Sequence, residues 1–271
     1  MVVPEDGWLT RVEWLDRASS TNDVVMGWLR GGTPEICVAF ADEQSAGRGR
    51  NGRSWTAPPG TGLLGSIGFT PTWLEPVEEW KLAAIVSLAM AGAGETVAHL
   101  TPGTIRLKWP NDLVAQDAET REVRKLAGVL GETEGLGTSE SRAVIGIGLN
   151  AGWAPSDFPR DLAASMTSLA QLPPGRRIDR DTLADAFLVG LVPLVQGLRE
   201  GEFPAGAWRA RQLTNGNTVR LEWPDGTAET VLAEDVDTET GALLVRAPGE
   251  TGQPRSVVVG EIRHVRVGGV I

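Results

Sequence analysis

Apolar residues recur at helical spacing in three parts of the chain, which predicts three helices. In the first, residues 20–30, Ser20 would cap the N-terminus and Asp23 stands three positions later, as in a capping box. Two glycines follow this stretch and would end the helix. The other helices are predicted over residues 77–99 and 179–199, and Pro193 would kink the latter.

Short apolar runs between turn residues predict the strands. Up to about residue 212 these runs cover residues 11–15, 36–41, 63–69, 105–109, 113–115, 126–131 and 143–149. Beyond that point the runs become short and rich in Val and Leu, at residues 218–223, 229–233, 243–246, 256–259 and 262–267. We therefore predict an α+β protein, with a mixed β-sheet and packed helices in residues 1–212 and a small β-barrel in residues 213–271.

Composition narrows the classes of function. A formal net charge of −10 argues against sequence-independent binding of DNA or RNA, but it is compatible with a small basic pocket. The single cysteine, Cys37, excludes a disulfide within the chain and fits a reducing compartment. We see no signal peptide and no apolar run of the ~18 residues that a membrane span needs. We expect a cytoplasmic protein that does not bind a membrane.

A glycine- and arginine-rich loop carries the first candidate chemistry. It reads Gln44-Ser45-Ala46-Gly47-Arg48-Gly49-Arg50-Asn51-Gly52-Arg53-Ser54-Trp55. Its glycines match the dinucleotide pattern G-x-G-x-x-G, but the prolines and glycines of residues 58–62 cannot form the helix which that pattern must open. Three arginines so close together favour an anionic ligand, over which the mobile loop would become ordered. A solvated basic turn or an RNA-contacting patch is the alternative.

Three further segments place polar residues at strand ends. They read Leu107-Lys108-Trp109-Pro110-Asn111-Asp112, Arg124-Lys125-Leu126-Ala127-Gly128-Val129-Leu130-Gly131-Glu132 and Gly146-Ile147-Gly148-Leu149-Asn150. Asn111 and Asp112 would lie just beyond a strand, where binding groups often stand on a rigid scaffold. Lys125 would place an ammonium group at the edge of the sheet. Taken singly, each polar residue could also be a solvated side chain or a turn residue.

The order and spacing of these segments, together with Ser20-Thr21-Asn22, resemble the biotin protein ligase family. The resemblance covers about residues 20–150 and extends more loosely into a C-terminal SH3-like domain. It implies a catalytic domain like that of class II aminoacyl-tRNA synthetases, with biotin, ATP and Mg²⁺ as substrates and cofactor. Biotinyl-5'-AMP would form first, and biotin would then pass to a lysine of a biotin carboxyl carrier domain.

The resemblance also assigns roles to individual residues. Those that would hold biotin are Ser20, Thr21, Asn22, Gln44, Gly47, Arg48, Gly49, Arg50 and Lys125. Those that would contact ATP or the adenylate are Arg48, Arg50, Arg53, Trp55, Asn111, Lys125 and Asn150. Lys125, Arg50 and Asp112 would be catalytic, because cations offset the repulsion between two anionic reactants. Asp112 would bind Mg²⁺ or help to deprotonate the acceptor lysine.

Two features depart from the family pattern. Residues 116–122 form an acidic insertion, which we expect to loop out. Only 19 residues precede Ser20, too few for the winged helix-turn-helix of many members. We therefore expect no DNA binding. A monomer and a weak homodimer both stay open.

Two other functions stay open at this stage. A lipoate or octanoate protein ligase has a related fold, but the polar set Ser20, Thr21 and Gln44 favours a ureido group over a dithiolane, which would leave buried polar groups unpaired. A non-enzymatic biotin or nucleotide sensor would use the SH3-like tail to bind a partner protein.

Overall fold

A seven-stranded mixed sheet forms the centre of the fold. The computed structural model describes residues 8–117, 120–172, 176–223, 225–258 and 261–266. The strands are β1 (Arg11–Ala18), β2 (Cys37–Gln44), β3 (Gly62–Phe69), β4 (Ile105–Lys108), β5 (Asp112–Gln116), β6 (Val123–Glu134) and β7 (Arg142–Asn150). Their order is β1-β2-β3-β7-β6-β5-β4, and only the β1–β2 pair among them is parallel. Each strand predicted before residue 212 corresponds to one of these strands.

Helices cover both faces of this sheet, which explains why β3 is buried along its whole length. The helices are α1 (Thr21–Arg30), α2 (Trp80–Ala98), α3 (Arg180–Arg199) and α4 (Ala205–Arg211). In β2, Cys37 and Ala39 pack with α1, whereas Val38 and Phe40 face the main core formed with α2 and α3. Successive residues of a strand point to opposite faces, so one apolar run supplies both cores.

The start of α1 differs from the predicted capping box. Ser20 occupies the cap position with an extended backbone, but its side chain makes no capping hydrogen bond. Instead, the backbone N–H of Thr21, which has no partner within the helix, donates to Oε1 of Gln44 at 2.7 Å. The side-chain carboxamide of Gln44, the last residue of β2, therefore caps the helix. Gly31 and Gly32 follow the last turn, as predicted.

The two long helices form the main core. By length and composition alone both could cross a membrane, but core helices of globular proteins share these properties. α2 buries thirteen of its nineteen residues against the sheet and α3. Pro193 lies inside α3, which continues to Arg199. α4 was not predicted, because seven residues are too few to show a helical period.

The C-terminal strands form a second, antiparallel sheet. They are β8 (Asn217–Glu222), β9 (Ala228–Val236), β10 (Leu243–Arg246), β11 (Arg255–Val257) and β12 (Glu261–Arg266), in the order β11-β10-β9-β8-β12. The five predicted strands are thus present. Among the described residues β11 and β12 are the two edges of an open sheet, so closure into a barrel is not seen.

A buried ion pair ties α4 to α2. The carboxylate of Glu95 accepts two hydrogen bonds from the Arg211 guanidinium, each at 2.8 Å, and one each from the backbone N–H groups of Gly103 and Ile105. The side chain of Glu95 is only 5% exposed. A buried charge depends on such partners, because burial removes its hydration.

We expect Arg211→Ala to lower the free energy of unfolding by about 3 kcal/mol, because it leaves a buried carboxylate without its cation. Arg209→Ala is the matched control: Arg209 belongs to the same helix but is 60% exposed in its pair with Asp235. That variant should lose much less stability, because solvent screens an exposed ion pair. Equilibrium unfolding in urea measures both, and equal small losses would contradict the expectation.

Candidate active site

A cavity of about 330 Å³ lies between the glycine- and arginine-rich loop and the strands β6 and β7. The predicted site residues that line it are Ser20, Thr21, Asn22, Gln44, Arg48, Gly49, Arg50, Arg53, Trp55, Asn111, Asp112 and Lys125. Gly47 and Asn150 do not line it. The fold thus brings twelve residues from four separate segments of the sequence to one cavity.

A row of hydrogen-bonded polar side chains forms one end of the cavity. Thr21 Oγ1 donates to Gln44 Oε1 at 3.1 Å, and Ser66 Oγ lies 2.7 Å from Thr21 Oγ1 and 2.6 Å from Asn22 Oδ1. Ser66 is fully buried behind the other three. Gly146 makes room for this row, since a Cβ there would lie 2.2 Å from Asn22 Oδ1.

The loop folds as a tight hairpin. Trp55 N–H donates to Gly47 O at 2.9 Å, and Gly49 N–H donates to Arg53 O at 2.7 Å. A Cβ on Gly47 would lie 2.3 Å from the carbonyl oxygen of Trp55, so only glycine fits. Gly47 therefore closes the hairpin, and this explains why it is absent from the cavity wall. A short 3₁₀ turn, Arg50–Gly52, forms the tip.

Trp55 covers the two glycine-containing strands at the floor of the cavity. Its indole lies so close to β7 that a Cβ on Gly148 would be 2.4 Å from Nε1, and one on Gly128 of β6 would be 3.2 Å from Cζ3. The indole Nε1 is buried without a hydrogen-bond partner. The Lys125 ammonium stands 5.2 Å from the ring centroid. Trp55 is therefore a wall of the cavity rather than part of the core.

Lys125 and Asp112 form an ion pair in the cavity wall. Lys125 Nζ lies 2.6 Å from Asp112 Oδ1, and Lys108 Nζ lies 3.8 Å from Asp112 Oδ2. A backbone bridge to the chain after β7 holds Lys125 itself, since its N–H donates to Ser165 O at 2.7 Å and its carbonyl accepts from Thr167 N–H at 2.9 Å. This brings the segment of residues 159–166 to the cavity wall.

The side-chain amides of the two predicted asparagines donate hydrogen bonds to backbone carbonyl groups. Asn111 Nδ2 donates to Val129 O at 2.8 Å, and Asn150 Nδ2 donates to Thr167 O at 3.0 Å. Asn150 is fully buried and its Oδ1 has no hydrogen-bond partner. Asn111 thus fixes the turn before Asp112, and Asn150 fixes the segment that pairs with Lys125.

Arg48 lines the cavity, but its guanidinium pairs with two carboxylates, Asp23 and Glu132, that do not line it. Its guanidinium contacts both oxygens of Asp23 at 2.7 and 2.9 Å and both oxygens of Glu132 at 2.9 Å. These hydrogen bonds raise the pKa of Arg48 and hold the pKa of Asp23 below its usual range. The loop arginines therefore do not simply repel one another.

Sequence reasoning missed several of these residues. Ser66 had a signal, since it is a lone hydroxyl within the apolar run of β3. Asp23 and Glu132 had none, because each resembles an ordinary exposed acid until the fold places it beside Arg48. The segment 159–166 has no periodic pattern and reaches the cavity only through its pairing with Lys125.

The side chains that line the cavity include more cations than carboxylates, although the chain as a whole is acidic. Among the described residues that line it, the cations are Arg48, Arg50, Arg53, Lys108 and Lys125, and the only carboxylate is that of Asp112. The whole chain carries a formal net charge of −10. A cleft lined by one sign of charge attracts ligands of the opposite sign, so anionic substrates fit this site.

Known proteins share both the sequence and the fold of this chain. A biotin--[acetyl-CoA-carboxylase] ligase of Mycobacterium tuberculosis is 32% identical over 96% of this chain and 91% of its own length. The bifunctional ligase/repressor BirA of Escherichia coli is 37% identical over 48% of this chain and 37% of its own length. A biotin protein ligase of Aquifex aeolicus, solved with biotin and ATP, shares the fold with a TM-score of 0.74 at 24% identity, over 94% of this chain and 98% of its own.

The sequence profile described as the biotin/lipoate A/B protein ligase family matches residues 14–150. This range begins within β1 and ends with β7, so it contains nearly all of the central sheet and most of the cavity wall. The matched range and the extent of the similarity to the mycobacterial ligase confirm the resemblance drawn from the sequence motifs. The chain belongs to the biotin/lipoate A/B protein ligase family.

Proposed function

We propose that the chain is a biotin protein ligase, which forms biotinyl-5'-AMP from biotin and ATP and then transfers biotin to a lysine of an acceptor protein. The observation that carries this proposal is the continuous cavity, with the polar row of Thr21, Asn22 and Gln44 at one end and Lys125 with the loop arginines along the rest. Biotin has a polar ureido ring and a distant carboxylate, which such a cavity could bind at both ends.

The first step joins two anions. A carboxylate oxygen of biotin attacks the α-phosphorus of ATP, and the bond to the bridging oxygen of pyrophosphate breaks. Lys125 and Arg50 both line the cavity, where they would offset the repulsion between carboxylate and phosphate. Fixed cations help most where charge accumulates in the transition state, so these residues would accelerate the reaction as well as bind the substrates.

A magnesium site made wholly of protein side chains is not seen in the part of the chain that the structure describes. The described residues contain no group of three His, Cys, Asp or Glu side chains that could hold a metal ion. Asp112, our predicted ligand, is already bound between Lys125 and Lys108. A metal ion at Asp112 would have to compete with two ammonium groups at this carboxylate. We therefore assign no step to a metal ion held by this chain.

The second step needs an unprotonated amine on the acceptor. Its nitrogen attacks the carbonyl carbon of biotinyl-5'-AMP, and AMP leaves. A free lysine has a pKa of ~10.4, so a nearby base is useful at neutral pH. Asp112 is our candidate, because the adenylate would draw Lys125 away and leave the carboxylate for the incoming ammonium group. Lys125 would thus mask Asp112 until the adenylate is present.

The remaining assignments extend the same proposal. The acceptor would be a biotin carboxyl carrier domain of a carboxylase, as the name of the mycobacterial relative suggests. The catalytic domain would comprise residues 1–212, and residues 213–271 would form an SH3-like domain built on the second sheet. Support for a boundary near this point comes from Leu213, which still donates its N–H to Leu107 O of β4 at 2.7 Å, whereas the first strand of the second sheet begins four residues later, at Asn217.

The polar row also bears on the lipoate alternative, which the family description includes. A dithiolane ring offers no partner to Thr21, Asn22 or Gln44, so its binding would leave buried polar groups unpaired. A ureido group offers both donors and an acceptor. The row therefore favours biotin over lipoate.

Biotin-dependent exchange of pyrophosphate into ATP tests the ligase function directly. We expect exchange with biotin and none with lipoate. In Gly146→Ala, the new Cβ would displace Asn22, and we expect the apparent biotin affinity to fall about tenfold, equivalent to about 1.4 kcal/mol. Gly131→Ala is the matched control, because a Cβ on this exposed glycine of the neighbouring strand meets only Ile145 Cδ1, at 3.3 Å.

Two results would contradict this proposal. Tight biotin binding without pyrophosphate exchange would favour a sensor, and exchange with lipoate alone would favour a lipoate ligase. A loss of biotin affinity in Gly131→Ala equal to that in Gly146→Ala would remove the polar row from the argument.

Asp112→Asn tests the base for transfer. With preformed biotinyl-5'-AMP, we expect single-turnover transfer to the acceptor domain to slow about 100-fold at neutral pH. The defect should shrink as the pH approaches ~10, since the acceptor lysine then loses its proton without help. Glu122→Gln is the control, because that exposed acid pairs with Arg124 away from the cavity. A normal transfer rate in Asp112→Asn would exclude this role.

A further inference from the structure

We propose that Arg48 is a positioning residue, which holds the glycine- and arginine-rich loop against the sheet through Asp23 and Glu132 instead of binding the substrate with its charge. We call these three residues the loop latch. The sequence resemblance had assigned Arg48 to biotin and the adenylate, and it had given no role to Asp23 or Glu132. The latch deepens the proposed ligase function, because the same loop would close over biotinyl-5'-AMP.

The hydrogen bonds of Arg48 carry the first part of this inference. Nε and Nη2 donate to Glu132, and Nη1 and Nη2 donate to Asp23, all within 2.9 Å. These contacts use all but one of the guanidinium N–H groups. Two carboxylates also neutralise its single positive charge. A phosphate or carboxylate of the substrate would have to break these pairs before it could use Arg48.

The two partners of Arg48 stand on rigid elements. Asp23 lies in the first turn of α1, and Glu132 lies near the end of β6. Arg48 thus connects a hairpin that contains three glycines to a helix and a strand at the same time. Paired guanidinium and carboxylate groups fix orientation as well as distance, so the latch restricts the loop where its glycines leave it free.

Glu132 also connects the latch to the polar row of the cavity. Its Oε2 accepts from Asn22 Nδ2 at 2.8 Å, while Oδ1 of the same amide lies 2.6 Å from Ser66 Oγ. The amide of Asn22 is therefore oriented by Glu132 on one side and by Ser66 on the other. Loss of the Glu132 charge should affect both the position of the loop and the orientation of Asn22.

Asp23→Asn and Glu132→Gln test the latch without changing the loop sequence. In the ligand-free protein, we expect trypsin to cut after Arg50 and Arg53 about threefold faster in each variant and about tenfold faster in the double variant, as for loss of partly exposed ion pairs. Mass spectrometry of the fragments gives these rates. This measurement needs no ligase activity, so it can fail or succeed independently of the proposed function.

Glu134→Gln is the matched control. Glu134 lies two residues after Glu132 in β6, on the same face of the strand, and pairs with Arg30 of α1 rather than with the loop. The Glu134→Gln variant loses one negative charge two residues away from Glu132. We expect trypsin to cut its loop at the wild-type rate. Faster cleavage in Glu134→Gln, equal to that in Glu132→Gln, would overturn the latch.

Retention of preformed biotinyl-5'-AMP separates the latch from a substrate-binding role for Arg48. If Arg48 positions the loop, Asp23→Asn and Glu132→Gln should each release the adenylate about threefold faster, and Arg48→Lys should do the same because lysine cannot pair with both carboxylates in this way. If Arg48 instead binds the substrate, neutralising Asp23 or Glu132 would free its guanidinium to bind the adenylate more tightly. Slower release from the two acid variants, with unchanged trypsin cleavage, would therefore overturn the inference.

Discussion

The cavity of this protein depends on charge compensation between residues that are far apart in the sequence. Two anionic reactants require cations, yet cations gathered around a small space repel one another. Here carboxylates offset that repulsion: Asp112 lies between Lys125 and Lys108, and Glu132 and Asp23 bind Arg48. Each carboxylate belongs to a strand or a helix fixed by backbone hydrogen bonds, so the cations keep their places before a substrate arrives.

The second constraint is that the side chains of Trp55 and Asn22 must pack closely against the backbone of the sheet. Trp55 packs against Gly148, and Asn22 packs against Gly146, at distances that leave no room for a Cβ, and the contact of Trp55 with Gly128 is also tight. The strands can therefore support two layers of side chains over one small area, with the indole of the loop beside the polar row. These glycines cost some strand stability. They also fix where the loop and α1 meet the sheet, and so define the shape of the cavity.

The sequence predicted helices and strands better than it predicted which charged side chains pair with one another. Apolar runs gave every strand, and Leu243–Arg246 was predicted with the observed bounds. Helix α4, Ala205–Arg211, was missed because its seven residues pack mainly through Trp208 and show no period. The partners of Arg48 could not be predicted, since Glu132 is 84 residues away and an exposed acid has many possible neighbours. The family motifs located the cavity, but they did not show which cations were already paired.

The second sheet contributes to the cavity through the segment between β4 and β5. Trp109 N–H donates to Thr214 Oγ1, and the Trp109 indole donates to Gly241 O, both at 3.0 Å. Trp80 of α2 packs so closely on Gly241 that a Cβ there would lie 2.6 Å from the indole. The turn at Gly241 is therefore fixed between two tryptophans. Because Asp112 follows Trp109 by three residues, the position of this carboxylate depends on both sheets, although only the first supplies the strands around the cavity.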